Sequence, residues 1–174
     1  MFEFRMGRAQ IVGSYCNGRS LMKSPVFRVI SNPRPTAVIV TCIDPRFEEA
    51  FDEFPIKVLG LKKGQYIHMK IGGGPTPLAH PKGMPSRCKY LAKQVKFTCT
   101  KFPITRAVFI SHEDCAYYSQ FPCSCHASDK ERRDLPNVGS LMQPLLPSQR
   151  VELYHFKFTP EVFGGSQLRR PIGH

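Results

Sequence analysis

Two apolar, β-branched runs, each ending in a knot of reactive side chains, constrain this chain more than any other feature. Ala37-Val38-Ile39-Val40-Thr41 leads into Cys42-Ile43-Asp44-Pro45-Arg46, and Ala107-Val108-Phe109-Ile110-Ser111 leads into His112-Glu113-Asp114-Cys115. Short runs of this composition predict buried strands. Two strands ending in thiol, imidazole, carboxylate and guanidinium place a site at the C-terminal edge of a parallel sheet. Cys42, His112 and Cys115 supply two thiolates and one imidazole, a ligand set for Zn2+ that leaves one tetrahedral position open. An open position belongs to catalysis rather than scaffolding.

The remaining segments supply the alternation that such a sheet needs. Residues 1–36 are basic and weakly periodic and end in Asn32-Pro33-Arg34-Pro35, so they are expected to form an N-terminal arm ahead of a domain over 37–165, with 166–174 a C-terminal tail. Pro45 is suited to open a helix whose apolar side is Phe47, Ala50, Phe51 and Phe54, and Pro55 is expected to stop it. Gly64 to Ile71 reads as a second strand, and the glycines and prolines from Gly72 to Pro85 as an irregular loop. A helix over Ser86 to Phe102 carries Cys88, Leu91, Val95 and Phe102 near helical spacing, and a third strand begins at Arg106. Glu131 to Leu146, crossed by Pro136 and Pro144, predicts a broken helical segment, and Val151 to Phe158 a final strand. The class is α/β: a mostly parallel, doubly wound central sheet flanked by helices.

In order, spacing and context, the two clusters resemble the β-class carbonic anhydrases. That family carries Cys-x-Asp-x-Arg after its first core strand and His-x-x-Cys after a later one, and both patterns stand intact here. A looser likeness runs from about Ala37 to about Gly165, where Val151 to Phe156, with Tyr154, looks like the family's last strand. The resemblance implies reversible hydration of CO2 to bicarbonate and a proton by zinc-bound hydroxide. It implies metal ligation by Cys42, His112 and Cys115, and a catalytic dyad in which Arg46 holds Asp44 ionised and oriented. Some family members instead place this Asp on the metal and close the site. A homodimer is implied as the minimal unit, with the basic arm reaching its neighbour. Two alternatives stand beside this reading: a carbonyl sulfide or carbon disulfide hydrolase using the same site, and a non-catalytic zinc or nucleic-acid binding protein on the same fold.

Further residues are candidates for supporting roles. Gly72 and Gly73 could offer backbone amides to CO2 or bicarbonate. His68, His80 and His126 are available to relay a proton, although packing or surface histidines are commoner. Cys123-Ser124-Cys125-His126 has metal-like composition, with Cys16, Cys88 and Cys99 as possible partners. Departures from the family are equally specific. Ala116 stands where Gly usually follows His-x-x-Cys, and Lys70-Ile71-Gly72-Gly73 replaces Arg-Asn-Ala-Gly. The Pro/Gly-rich stretch around His80 could cover the site mouth. With no Trp in the chain, a Trp-lined regulatory bicarbonate pocket has no counterpart.

Composition narrows the rest. A chain of 174 residues makes one domain that buries roughly 70% of its unfolded surface. It contains no apolar run of about 18 residues, so no membrane span is expected. Seven cysteines, an odd count without a disulfide-rich framework, fit a reducing compartment, with the cytoplasm as default. Arg5, Arg8, Arg19, Lys23 and Arg28 against Glu3 also match an organellar presequence, the less favoured reading of the arm. The net charge of +12 is spread along the chain without a Lys/Arg block, which favours a solvated basic surface suited to anions over a nucleic-acid interface.

Overall fold

The computed structural model describes residues 6–10, 15–16, 19–20, 26–118 and 130–158. Four short strands come first: β1 (Met6–Gln10), β2 (Tyr15–Cys16), β3 (Arg19–Ser20) and β4 (Val26–Ile30). β1 pairs antiparallel with β4, with Met6 opposite Ile30, and β2 pairs antiparallel with β3. The weak periodicity read over residues 1–36 therefore conceals paired strands. The run Val26-Phe27-Arg28-Val29-Ile30 is as β-branched as a core strand and is interrupted only by its central Arg.

The domain proper begins with β5 (Ala37–Thr41), every residue of which is buried. A single 3-10 turn, Pro45–Phe47, leads into α1 (Glu48–Lys57), followed by β6 (Tyr66–Lys70). Then come α2 (Thr76–Ala79), α3 (Pro85–Lys101), β7 (Arg106–His112), α4 (Lys130–Leu145) and β8 (Arg150–Phe156). The last four strands form one sheet in the order β6-β5-β7-β8, and each neighbouring pair is parallel. The α/β class read from the sequence is the class observed, and this sheet is wholly rather than mostly parallel.

The order decides where a site can sit. The chain steps from β5 to β6 in one direction, then returns past β5 to β7 and β8. With right-handed crossovers, α1 falls on one face and α3 and α4 on the other. The packing has that division. Ala37, Ile39, Val108 and Ile110 pack with Phe47, Phe51 and Phe54, while Val38, Val40, Ala107 and Phe109 pack with Leu91, Val95, Val138 and Met142. The reversal lies between β5 and β7, and the crevice at their carboxyl ends is the place where such sheets bind ligands.

Four helical expectations need correction. Pro55 does not stop α1 but lies inside it, buried, with Val58 N–H still reaching the Phe54 carbonyl at 2.9 Å. An interior proline costs about 3 kcal/mol, whereas burying each of Phe47, Phe51 and Phe54 contributes roughly 1.5–3 kcal/mol, so packing wins. Ala50, assigned to the apolar side, is exposed. The same balance keeps α4 continuous through Pro136 and Pro144, because Leu135, Val138 and Met142 form a buried stripe. The stretch from Gly72 to Pro85 is not wholly irregular either: α2 occupies its centre with all four residues buried. No helix among the described residues is long and apolar enough to cross a membrane.

Glu152 of β8 ties this sheet edge to β7. Only 6% of its side chain is exposed, and it accepts hydrogen bonds from Arg106 Nε at 2.7 Å, Arg106 Nη2 at 2.8 Å and the Tyr154 hydroxyl at 2.9 Å. The Arg106 fork holds this carboxyl below the ordinary glutamate value. A depressed folded value stabilises the fold above the unfolded pKa of about 4.3 and is lost as pH falls through the folded value. Glu152→Gln is therefore expected to cost about 2 kcal/mol at neutral pH, with the difference shrinking below about pH 4. Urea melts of the two proteins across that range check it. A difference that does not change with pH would contradict it.

Candidate metal centre

The turn that leaves β5 and the turn that leaves β7 meet at the crevice. Cys42 follows β5 directly, His112 is the last residue of β7, and Cys115 closes the tight turn after it. All three are buried, His112 to 1% exposure. Their ligand atoms lie within 4.8 Å of one another, and the two sulfurs are 3.9 Å apart. A tetrahedral ion with metal–sulfur bonds of about 2.3 Å sets two sulfurs about 3.8 Å apart. The cluster could hold a metal ion.

The imidazole is already prepared as a ligand. His112 Nδ1–H donates to the Glu113 carbonyl at 2.9 Å, which leaves the Nε2 lone pair facing the two sulfurs. Nε2 is buried without a hydrogen-bond partner among nitrogen and oxygen atoms. Its contact is with the Cys42 sulfur, so imidazole and thiol already converge on a point where a metal ion could sit. The ring is held by Phe47, 4.5 Å between centroids, and by Phe51 at 6.0 Å.

The thiols are prepared as well. The two thiols share one contact, so the first proton leaves easily: Cys42 is pulled down to about 4, chiefly by its contact with Cys115 and helped by the His112 side chain and the amides of Gly73 and Asp44, against the cost of burial. The second proton is correspondingly held, because Cys115 is pushed up by the same contact and by burial. A cation is what releases it.

Asp44 and Arg46 form a clamped pair beside this cluster. Arg46 Nε donates to Asp44 Oδ1 at 3.0 Å and to Oδ2 at 3.2 Å, and Nη2 donates to Oδ2 at 2.7 Å. The Arg46 backbone N–H adds a bond to Oδ1 at 3.0 Å, so Asp44 also caps the 3-10 turn. Arg46 holds the carboxyl below the usual aspartate range. Asp44 Oδ2 lies 3.9 Å from His112 Nε2. Arg46 Nη2 also donates to the Asp114 carbonyl at 2.8 Å, tying the β5 turn to the β7 turn. Asp114 presents that carbonyl from a left-handed backbone, φ 54°, a conformation that Asp tolerates better than most residues.

The glycine loop borders the cluster. Gly73 directs its amide at the Cys42 sulfur, so it touches the ligand set rather than open space. Gly72 lies farther out, near Ile43. Gly74 is pressed against backbone: its φ is +53°, and a Cβ there would stand 3.0 Å from Cys42 N and 3.3 Å from the Ile110 carbonyl oxygen. Only a residue without Cβ lets this loop cross both strand ends. Gly74→Ala is expected to destabilise the protein by about 3 kcal/mol, from left-handed strain and a backbone clash together. Denaturant titration reads this directly. A change under about 0.5 kcal/mol, the ordinary range for harmless surface substitutions, would contradict the close approach.

Other candidates fall to the side. His68 Nε2 is 2.8 Å from Thr41 Oγ1, and burial lowers its pKa, so it is held neutral on β6. His80 Nε2 faces Asp134 Oδ2 at 2.9 Å, with its ring edge against Tyr118. Cys88 is buried on α3 and Cys99 half-buried. Cys123, Cys125 and His126 lie outside the described residues. Ala116, where the family usually has glycine, is exposed. Sequence reasoning missed two neighbours. Glu131, buried in the first turn of α4, meets the Cys115 backbone, and burial raises its pKa. Tyr117 lays its ring against Gly73, where an added Cβ would meet Cδ1 at 2.4 Å. An acid in a helix's first turn was a visible signal for Glu131; nothing local announces Tyr117.

No protein-family model matches the chain, and no curated protein sequence matches it. The case for function therefore rests on the centre itself.

Proposed function

We propose that this chain is a zinc-dependent carbonic anhydrase of the β class, interconverting CO2 and bicarbonate. One observation carries the reading: a buried His112 Nε2, without a nitrogen or oxygen hydrogen-bond partner, faces two cysteine sulfurs, with an arginine-clamped carboxylate 3.9 Å away. Cys42, His112 and Cys115 would hold the ion. When bound, zinc supplies a Lewis acid that makes hydroxide available near neutral pH.

The chain's own groups do the rest. Asp44, kept ionised by Arg46, accepts a hydrogen bond from the nucleophilic hydroxyl and so aims its remaining lone pair at the CO2 carbon. Both Asp44 oxygens are occupied by Arg46, so a closed state with Asp44 on the metal would require Arg46 to surrender bonds of 2.7 to 3.2 Å. That favours the open form. The amides of Gly73 and Asp44 on the Cys42 sulfur draw charge from the thiolate and keep the ion electrophilic.

Oxygen-isotope exchange between labelled bicarbonate and water tests the reaction at equilibrium. The zinc-loaded chain is expected to accelerate exchange far above background, and the chelated chain is not. Exchange at the background rate with one zinc bound per chain would overturn the assignment. A homodimer belongs to the same reading, and light scattering is expected to return about twice 19.7 kDa.

A further inference from the structure

Beside the metal centre lies a cavity of about 450 Å3 whose walls include Ile71, Leu91, Tyr90, Tyr117 and Arg87. None of Cys42, Asp44, Arg46, His112 or Cys115 lines it. Tyr117 is the shared wall, because its ring also lies against Gly73, whose amide reaches Cys42. Small-molecule pockets run from roughly 300 to 1,000 Å3, while a single water's share of liquid is about 30 Å3. A triatomic substrate would leave most of this volume empty. The cavity suits something larger.

Its walls say what kind. They are mainly apolar and aromatic, with one cation: the Arg87 guanidinium carbon stands 5.0 Å over the Tyr117 ring. Arg87 makes no ion pair with a carboxylate among the described residues. It stands in the first turn of α3, where the helix dipole disfavours a cation and no acid is present to offset it. A planar guanidinium over an aromatic ring at an apolar cavity matches a planar anion carried on an apolar body. A doubly charged phosphate would find too few cations here.

We propose that this cavity binds a small organic carboxylate, with its charge on Arg87 and its apolar body against Tyr117 and Leu91. This does not depend on which metal, or which reaction, the neighbouring centre supports.

Benzoate is the probe, titrated into the full zinc-loaded chain and followed by methyl NMR at Ile71 and Leu91. Saturable shifts at both residues are expected. Arg87→Met, a change on the exposed first turn of α3, is expected to weaken binding by about tenfold to a hundredfold, the size of a charge-assisted hydrogen bond. Benzyl alcohol, of similar shape without the charge, is expected to bind the parent chain about as weakly as benzoate binds the variant. Acetate and inorganic phosphate, charged but without an apolar body, are expected to leave Ile71 and Leu91 unmoved. Shifts that Arg87→Met leaves unchanged, or shifts confined to the surroundings of His112, would overturn the proposal, the latter by making the carboxylate a guest of the metal instead.

Discussion

Replacing Cys42 by serine is expected to empty the metal centre. Loss of even a residue that merely supports a ligand lowers metal affinity roughly 10- to 100-fold, and Cys42 is one of the three side chains that could hold the ion, so the loss is expected to exceed about a hundredfold. Serine keeps the volume but offers a hydroxyl that does not ionise near neutral pH. It also removes the sulfur that Cys115 touches and toward which the Gly73 and Asp44 amides direct their hydrogens. Zinc measured per chain after dialysis against a chelator should fall from one to near zero, and hydration activity with it. Cys42 closes a buried strand end at 6% exposure, so circular dichroism must accompany the measurement to show that the sheet persists. Full zinc in the folded variant would refute the ligand assignment.

Asp44→Ala is expected to behave differently, and the contrast is the sharper test. Asp44 is held by Arg46 and stands beside the cluster rather than within it, so zinc should remain at one per chain. Activity should fall by about a hundredfold to a thousandfold, the usual loss when a positioned hydrogen-bonding group is removed from a reacting centre. Arg46→Ala should lose less, because the carboxylate survives but wanders, and part of its effect should come from untying the β7 turn at Asp114. Rate constants and zinc content measured on the same samples separate these roles. If zinc and rate fell together in Asp44→Ala, Asp44 would be a ligand and the site would be of the closed kind.

What the sequence made legible was what local pattern controls. β5 and β7 sit in the middle of a parallel sheet with both faces covered, so their apolar runs are uninterrupted and easy to read. Their following residues had to emerge at the same edge, and Cys42, His112 and Cys115 converge there. Prolines misled, since Pro55, Pro136 and Pro144 carry a local penalty that aromatic and aliphatic burial overrides. The role of Gly73 and Gly74 was hidden for another reason. Their requirement comes from Tyr117 and from the β5 and β7 backbones, which become neighbours only when the fold is complete. Arg46 lay between: its pairing with Asp44 follows from spacing, but its bond to the Asp114 carbonyl, 68 residues away, does not.

The most direct measurement is stopped-flow CO2 hydration by the full chain loaded with one zinc, from about pH 6.5 to 9, a range that brackets the proton loss expected of a zinc-activated nucleophile. Turnover far above the uncatalysed rate, rising with pH and abolished by chelation, is the predicted result. Background rates across the whole range, with zinc demonstrably bound, would contradict the claim that this centre hydrates CO2.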